Sequence, residues 1–272
     1  MKKVLVTGAT ENYYNLIIPY LKSIEKNSNF DENILITLDF KKEQFNKVKN
    51  CYLDNHLVVN KNPNNCLQHG EFLKSEYFKS LKDEDIICFT DGDIILQRTL
   101  SAEENILFES LKEDQVLVQV NAGHKDNLKD EFYRLSPTVK HETFENIFDT
   151  KLEQFPCYNT GVIIANLKTW NKIEKFYSFY FPKMRDYFTH YAKQQWILSY
   201  LLCKHLKPIL MNYSLHCHSH HGRISNTSFA QQQLYYGNEK VLFNHFCMNS
   251  DLPLDKQGFS EQQRRYLELL CL

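Results

Sequence analysis

Glycine and proline are scarce, at 8 and 7 of 272 residues, and no linker or low-complexity tract divides the chain, so a single domain over residues 1–272 is expected. Glycine-rich phosphate loops are missing too. There is no G-x-G-x-x-G turn and no P-loop lysine pattern, which sets aside a dinucleotide fingerprint and a Walker-type site. An excess of one charge is also absent: 32 basic against 33 acidic side chains give a formal charge of −1 and no electrostatic footprint for nucleic acid. No apolar stretch is long enough to span a bilayer. The basic start Met1-Lys2-Lys3 leads into a short apolar run that ends at Gly8, which suits a first strand better than a signal peptide. The 8 cysteines lack the paired C-x-x-C spacing of zinc ribbons and thiol redox sites, which points to reduced thiols in a cytosolic protein. What the chain has in quantity is core-building material, with 43% apolar residues including 19 Phe and 16 Tyr.

Short apolar runs alternate with longer periodic ones. Val4 to Thr7, Ile34 to Leu38, His56 to Val59, Ile86 to Phe89 and Val116 to Val120 predict strands. Tyr14 to Glu25, Lys42 to Val48, Glu71 to Leu81 and Ala102 to Leu111 predict the helices between them. Such alternation implies an α/β fold with a mainly parallel, Rossmann-like sheet flanked by helices, in which ligands bind beyond the carboxyl ends of the strands. After residue 120 the pattern loosens. A strand is expected at Gly161 to Ala165, helices at Lys168 to Tyr187 and Gln194 to His205, an irregular His-rich loop from Met211 to Gln233, a late strand at Val241 to Asn244 and a terminal helix at Glu261 to Leu270.

The segment Asp85-Ile86-Ile87-Cys88-Phe89-Thr90-Asp91-Gly92-Asp93-Ile94-Ile95-Leu96 places two carboxylates in an otherwise apolar stretch, where burial of charge is costly. Residues i and i+2 of an extended chain point the same way, so Asp91 and Asp93 can converge, and Gly92 permits a turn and a close ligand approach. A divalent cation would resolve their repulsion, and oxygen ligands favour Mg²⁺ or Mn²⁺. The alternative is a turn whose aspartates cap a helix or face water.

This segment resembles the aspartate-x-aspartate motif of GT-A-fold glycosyltransferases, and further stretches resemble, in the same order, the retaining family-eight group that contains lipopolysaccharide galactosyl- and glucosyltransferase-like and glycogenin-like enzymes. The opening Lys3-Val4-Leu5-Val6-Thr7-Gly8-Ala9-Thr10-Glu11-Asn12-Tyr13 is similar to the family's first strand and loop. The resemblance implies that Thr7, Ala9 and Tyr13 lie against base and ribose, and that Lys74, on the helix before the acidic strand, approaches the donor. Cys157-Tyr158-Asn159-Thr160-Gly161-Val162-Ile163-Ile164-Ala165-Asn166-Leu167-Lys168-Thr169-Trp170 resembles the family's asparagine-glycine strand, with Asn159 meeting the donor sugar. Lys193-Gln194-Gln195-Trp196 falls where members carry Asp-Gln-Asp, which implies Gln194 and Gln195 beside the sugar and Gln195 by the anomeric carbon. Both flanking aspartates are replaced here, by Gln194 and Trp196. Val241-Leu242-Phe243-Asn244-His245-Phe246 supplies a histidine similar to the family's third metal ligand, so the implied metal set is Asp91, Asp93 and His245, and an imidazole with two carboxylates suits Mn²⁺. The family's glycine, lysine and proline-tryptophan after that histidine are absent, which leaves Arg223 and Lys256 as candidates for phosphate contact.

The resemblance implies metal-dependent transfer of a sugar from a nucleotide-sugar donor, a UDP-sugar in particular, to a glycan or lipid-linked glycan, with retention, by Gln195 and Asp93. Residues 1–120 would bind the nucleotide and residues 121–272 the sugar and acceptor. An inverting transferase, a nucleotidyltransferase and an inactive sugar-binding module remain alternatives. The first needs a base that the sequence does not reveal, and the second a basic glycine-rich loop that Thr7 to Glu11 does not supply. His216-Cys217-His218-Ser219-His220-His221 could hold zinc but matches no common closed-site spacing, so a polar loop over the donor pocket is expected there. Arg264, Arg265 and Tyr266 beside Leu267, Leu269 and Leu270 suit a docked terminal helix with a basic face, or a weak peripheral membrane contact.

Overall fold

The aliphatic runs form strands because both faces of the central sheet are covered. The structure, a computed structural model, describes residues 1–51, 56–61, 68–120, 127–135, 141–184, 193–218, 226–230, 233–246 and 259–271. Its strands are β1 (Lys3–Thr10), β2 (Glu32–Leu38), β3 (His56–Lys61), β4 (Ile86–Asp91), β5 (Ile94–Leu96), β6 (Gln115–Val120), β7 (Tyr158–Asn166), β8 (Lys207–Leu210), β9 (His216–His218), β10 (Thr227–Ala230), β11 (Gln233–Tyr236), β12 (Glu239–Lys240) and β13 (Phe243–His245). The helices are α1 (Tyr14–Asn27), α2 (Lys42–Cys51), α3 (Gln68–Phe72), α4 (Ala102–Glu109), α5 (Leu128–Leu135), α6 (His141–Phe148), α7 (Leu167–Met184), α8 (Lys193–His205) and α9 (Glu261–Cys271).

Seven strands form the main sheet in the order β3-β2-β1-β4-β7-β6-β8. The first four run parallel, β7 is antiparallel to both neighbours, and β8 is parallel to β6. The alternation of side chains along each strand divides the core in two. On one face Val4, Val6, Ile87, Phe89 and Ile163 meet Trp170 of α7 and Ile197 of α8. On the other, Leu5, Ile86, Cys88 and Ile164 meet Ile17 of α1 and Leu267 of α9. Strands buried on both sides read as continuous apolar runs, which is why β1 and β4 are plain in the sequence. Cys88 and Cys203 are free thiols, and burial pushes the Cys88 thiol well up.

Two expectations are corrected. Glu71 to Leu81 is not one helix: α3 ends at Phe72 and a separate 3₁₀ turn covers Ser75–Phe78. The break is fixed from outside, since the Trp170 indole donates to the Leu73 carbonyl (2.9 Å) and the Ser75 N–H donates to Glu174 (2.8 Å), which takes both groups from an α-helical ladder. Met211 to Gln233 is not simply irregular, because it contains β9 and β10. The late strand starts at Phe243, two residues after its expected start, behind the β11–β12 hairpin. In α9, Tyr266, Leu267 and Leu270 are buried while Arg264 and Arg265 face solvent. Among the described residues no helix is long and apolar enough to cross a membrane.

Candidate metal and donor site

Parallel pairing of β1 with β4 sets Gly8 against Asp91 at the carboxyl edge of the sheet. The chain turns at Gly92, where an added Cβ would lie 3.0 Å from Ile17 Cδ1 and 3.4 Å from the Gly8 carbonyl, so the turn packs tightly on α1 and β1. Beyond it, β5 leaves the main sheet and pairs antiparallel with β13, which in turn pairs parallel with β9. His245 stands opposite Ile94 in that ladder, next to Asp93, and its Nε2 is 3.4 Å from Asp93 Oδ1. Asp91, Asp93 and His245 each offer a ligand atom, all within 4.8 Å of one another, and among the described residues they are the one such group of three.

The electrostatics fit a cation. Asp93 and His245 are only 4% and 6% exposed. The Asp91 carboxyl is pushed up to about 7, first by burial and then by the Asp93 charge, against an opposing pull from His245. The half-buried Asp91 and buried Asp93 carboxylates, completed by the His245 imidazole, form an O,O,N donor set of a kind that suits a divalent cation.

The sugar-side candidates come from β7 and α8. Asn159 is buried near the start of β7, where its Oδ1 accepts the Gly161 N–H at 3.0 Å. Gly161 faces His245: an added Cβ there would sit 2.7 Å from His245 Cε1 and 3.0 Å from Nδ1. Gln194 and Gln195 are half-buried in the first turn of α8, and Gln195 Nε2 is 4.0 Å from Cys157 Sγ. Ser199 ties this helix to β7, accepting the Tyr158 N–H (3.0 Å) and donating to the Gln195 carbonyl (2.8 Å). Trp196 is fully buried in the core, so the position where the family carries a second aspartate is here an apolar packing position.

No protein-family model matches the sequence, and no curated protein matches it either. Solved structures do. The galactosyltransferase LgtC, in complex with donor and acceptor sugar analogs, superimposes with a TM-score of 0.62 at 17% identity over 98% of this chain and 95% of its own. The glycosyltransferase GlyE of Streptococcus pneumoniae TIGR4 gives a TM-score of 0.60 at 14% identity, covering 100% of this chain and 61% of that one. Mouse xyloside xylosyltransferase 1 gives 0.52 at 11% identity, covering 93% and 100%. The chain has a GT-A fold.

Within the GT-A fold the nucleotide-side candidates occupy unequal surroundings. Thr7 is 1% exposed, and its hydroxyl is bonded to Tyr20 and to Thr90 (2.7 Å), with Tyr20 and Thr90 3.0 Å apart. That hydroxyl is thus committed beneath the strand end that carries Asp91. Ala9 is buried, and its Cβ is one of the atoms against which the Gly92 turn packs. Tyr13 is half-buried at the end of the 3₁₀ turn Glu11–Tyr13. Lys74 is not on a helix as expected but in the break after α3, 2.6 Å from the buried Glu71, which also accepts from the Tyr77 hydroxyl (2.9 Å). His220, His221, Arg223 and Lys256 lie outside the described residues.

Three residues around the candidate site are not visible as such in the sequence. Tyr20 and Thr90 complete the hydroxyl cluster, and Gln97 staples the His245 sheet. The Gln97 amide, 1% exposed, donates to the carbonyls of Leu234 (3.2 Å) and Val241 (3.0 Å) and accepts from Leu234 N–H (2.9 Å) and Asn244 Nδ2 (3.2 Å). The one signal for Gln97 was a polar residue directly after an apolar run. His216, expected in a polar loop, is instead fully buried on β9, its ring 5.6 Å from that of His245 and 21° from parallel. Burial and the neighbouring His245 hold its imidazole well below the usual histidine range.

Proposed function

We propose that this chain is a metal-dependent glycosyltransferase that moves a sugar from a nucleotide-sugar donor, a UDP-sugar, to a hydroxyl of a glycan or lipid-linked glycan with retention at the anomeric carbon. The observation that carries the reading is the convergence of Asp91, Asp93 and His245 at the carboxyl edge of a GT-A sheet. These three residues would hold Mn²⁺ or Mg²⁺, and a bound cation supplies Lewis acidity that offsets charge on the departing nucleoside diphosphate. Residues 1–120 form the nucleotide half in this reading, and residues 121–272 the sugar and acceptor half. Ala9, Tyr13 and the backbone at Thr7 receive base and ribose, Gly92 lets the diphosphate approach the turn, and Lys74 adds positive charge on the donor side. Asn159 and Gln194 orient the sugar. Gln195 offers an amide dipole beneath the ring as the glycosidic bond lengthens toward an oxocarbenium-like state. The buried Trp196 and the amide of Gln194 provide no carboxylate nucleophile at those positions, so the reading has the acceptor hydroxyl attack from the front side. Action in the cytoplasm, with weak peripheral membrane contact through α9, completes it.

The test is donor hydrolysis and binding across UDP-, GDP- and CDP-sugars with Mn²⁺, with Mg²⁺ and with EDTA, for wild type and Asp93→Ala. Turnover of one UDP-sugar that needs metal and is lost in the variant is the expected result. Donor binding indifferent to both metal and substitution would overturn the reading.

A further inference from the structure

Gly161 is too close to His245 for its glycine to be explained by ligand approach alone. The Cβ of any other residue would fall 2.7 Å from His245 Cε1 and 3.0 Å from Nδ1, well inside van der Waals contact. The ring also lies near-parallel to His216 at 5.6 Å. With those two neighbours, and with Nε2 3.4 Å from Asp93 Oδ1, little freedom is left for the imidazole. We propose that Gly161 and His216 form a slot that positions the His245 ring for the cation, and that this slot sets both the affinity of the site and its preference for Mn²⁺ over Mg²⁺. The inference rests on the metal reading above.

What must yield to a new Cβ decides the consequence. The atoms it meets belong to the far end of the His245 side chain and to the Asn159 amide oxygen, 3.0 Å away, and not to backbone. Pushing the imidazole and the Asn159 amide out of their places therefore relieves the clash with less displacement than a shift of β7 or β13. The fold survives, but the nitrogen leaves its place beside Asp91 and Asp93. Because Mg²⁺ is satisfied by carboxylates and water whereas Mn²⁺ gains from an imidazole, loss of the ring costs Mn²⁺ more. Gly161 and His216 touch no reacting atom in this account and act through His245.

The experiment is titration with Mn²⁺ and with Mg²⁺ of wild type, Gly161→Ala, His216→Ala and Ala165→Val, with thermal unfolding of each. Ala165 is fully buried on the same strand, so its enlargement controls for overpacking. Gly161→Ala is expected to weaken Mn²⁺ binding about 10- to 100-fold, as loss of a supporting contact to a metal ligand does, and to lower the Mn²⁺/Mg²⁺ affinity ratio. His216→Ala, which opens space and adds no clash, is expected to weaken it about two- to tenfold, the worth of one ring pair. Ala165→Val should lose stability and keep its Mn²⁺ affinity. Unchanged Mn²⁺ affinity in both slot variants, or an equal loss in Ala165→Val, overturns the slot. A wild-type chain that binds neither cation instead overturns the metal reading on which the slot rests.

Discussion

The two halves of the candidate metal group are built by different means. Asp91 and Asp93 are placed by a single turn between β4 and β5, fixed by the neighbouring β1 strand and α1. His245 reaches them through β13, a three-residue strand held between β5 and β9 and stapled by the buried amide of Gln97. Local sequence thus supplies the charge, while long-range pairing supplies the nitrogen. The contrast predicts that damage to the turn removes function outright, whereas damage to the short sheet erodes stability and affinity together.

The largest effect should follow Asp93→Ala, with turnover falling about a hundredfold or more as charge stabilisation is lost; a steady-state assay in saturating Mn²⁺ checks it. Next, Gln97→Leu leaves the Leu234 and Val241 backbone groups short of partners and should cost about 1–3 kcal/mol in urea unfolding, with weaker Mn²⁺ binding. If that variant instead keeps full stability and affinity, the short sheet does not depend on its staple.

Asp91→Asn sharpens the comparison from the other side. The folded-state pKa of Asp91 stands at about 7 against an ordinary 3.8, so the native chain holds a proton there that the unfolded chain has released. The associated stability is fully present below about pH 4 and is lost as pH rises through about 7. In EDTA the asparagine variant should therefore melt above wild type at pH 8, with the gap narrowing toward pH 4, even though it no longer completes the metal group. Equal melting curves across that range would remove the account in which burial and the Asp93 charge together hold a proton on Asp91. The smallest effect is expected of Tyr20→Phe, which leaves Thr7 and Thr90 bonded to each other and should cost about 1 kcal/mol by calorimetry with metal affinity unchanged.

Legibility in the sequence followed the same division. Strands β1, β2, β4 and β6 announce themselves because burial on both faces demands continuous apolar runs, and Asp91-Gly92-Asp93 is conspicuous as charge within such a run. The break before Ser75 was not readable, since it depends on Trp170 and Glu174 about a hundred residues away. Strands β9 to β12 are two to four residues long, too short for a period to show. His216 reads in the sequence as part of a polar loop over the donor pocket, and only its pairing beside β13 reveals it as a buried neighbour of His245.

The lateness of β13 in the chain also bears on how the protein is made. During synthesis the two aspartates leave the ribosome long before His245, and β5 waits without its partner strand until β13 has emerged. A nascent chain therefore carries a pair of mutually repelling acids but no complete chelate. On the proposed metal reading, cation capture has to wait for β13, and a truncated product ending before Phe243 would display the acidic turn without its imidazole.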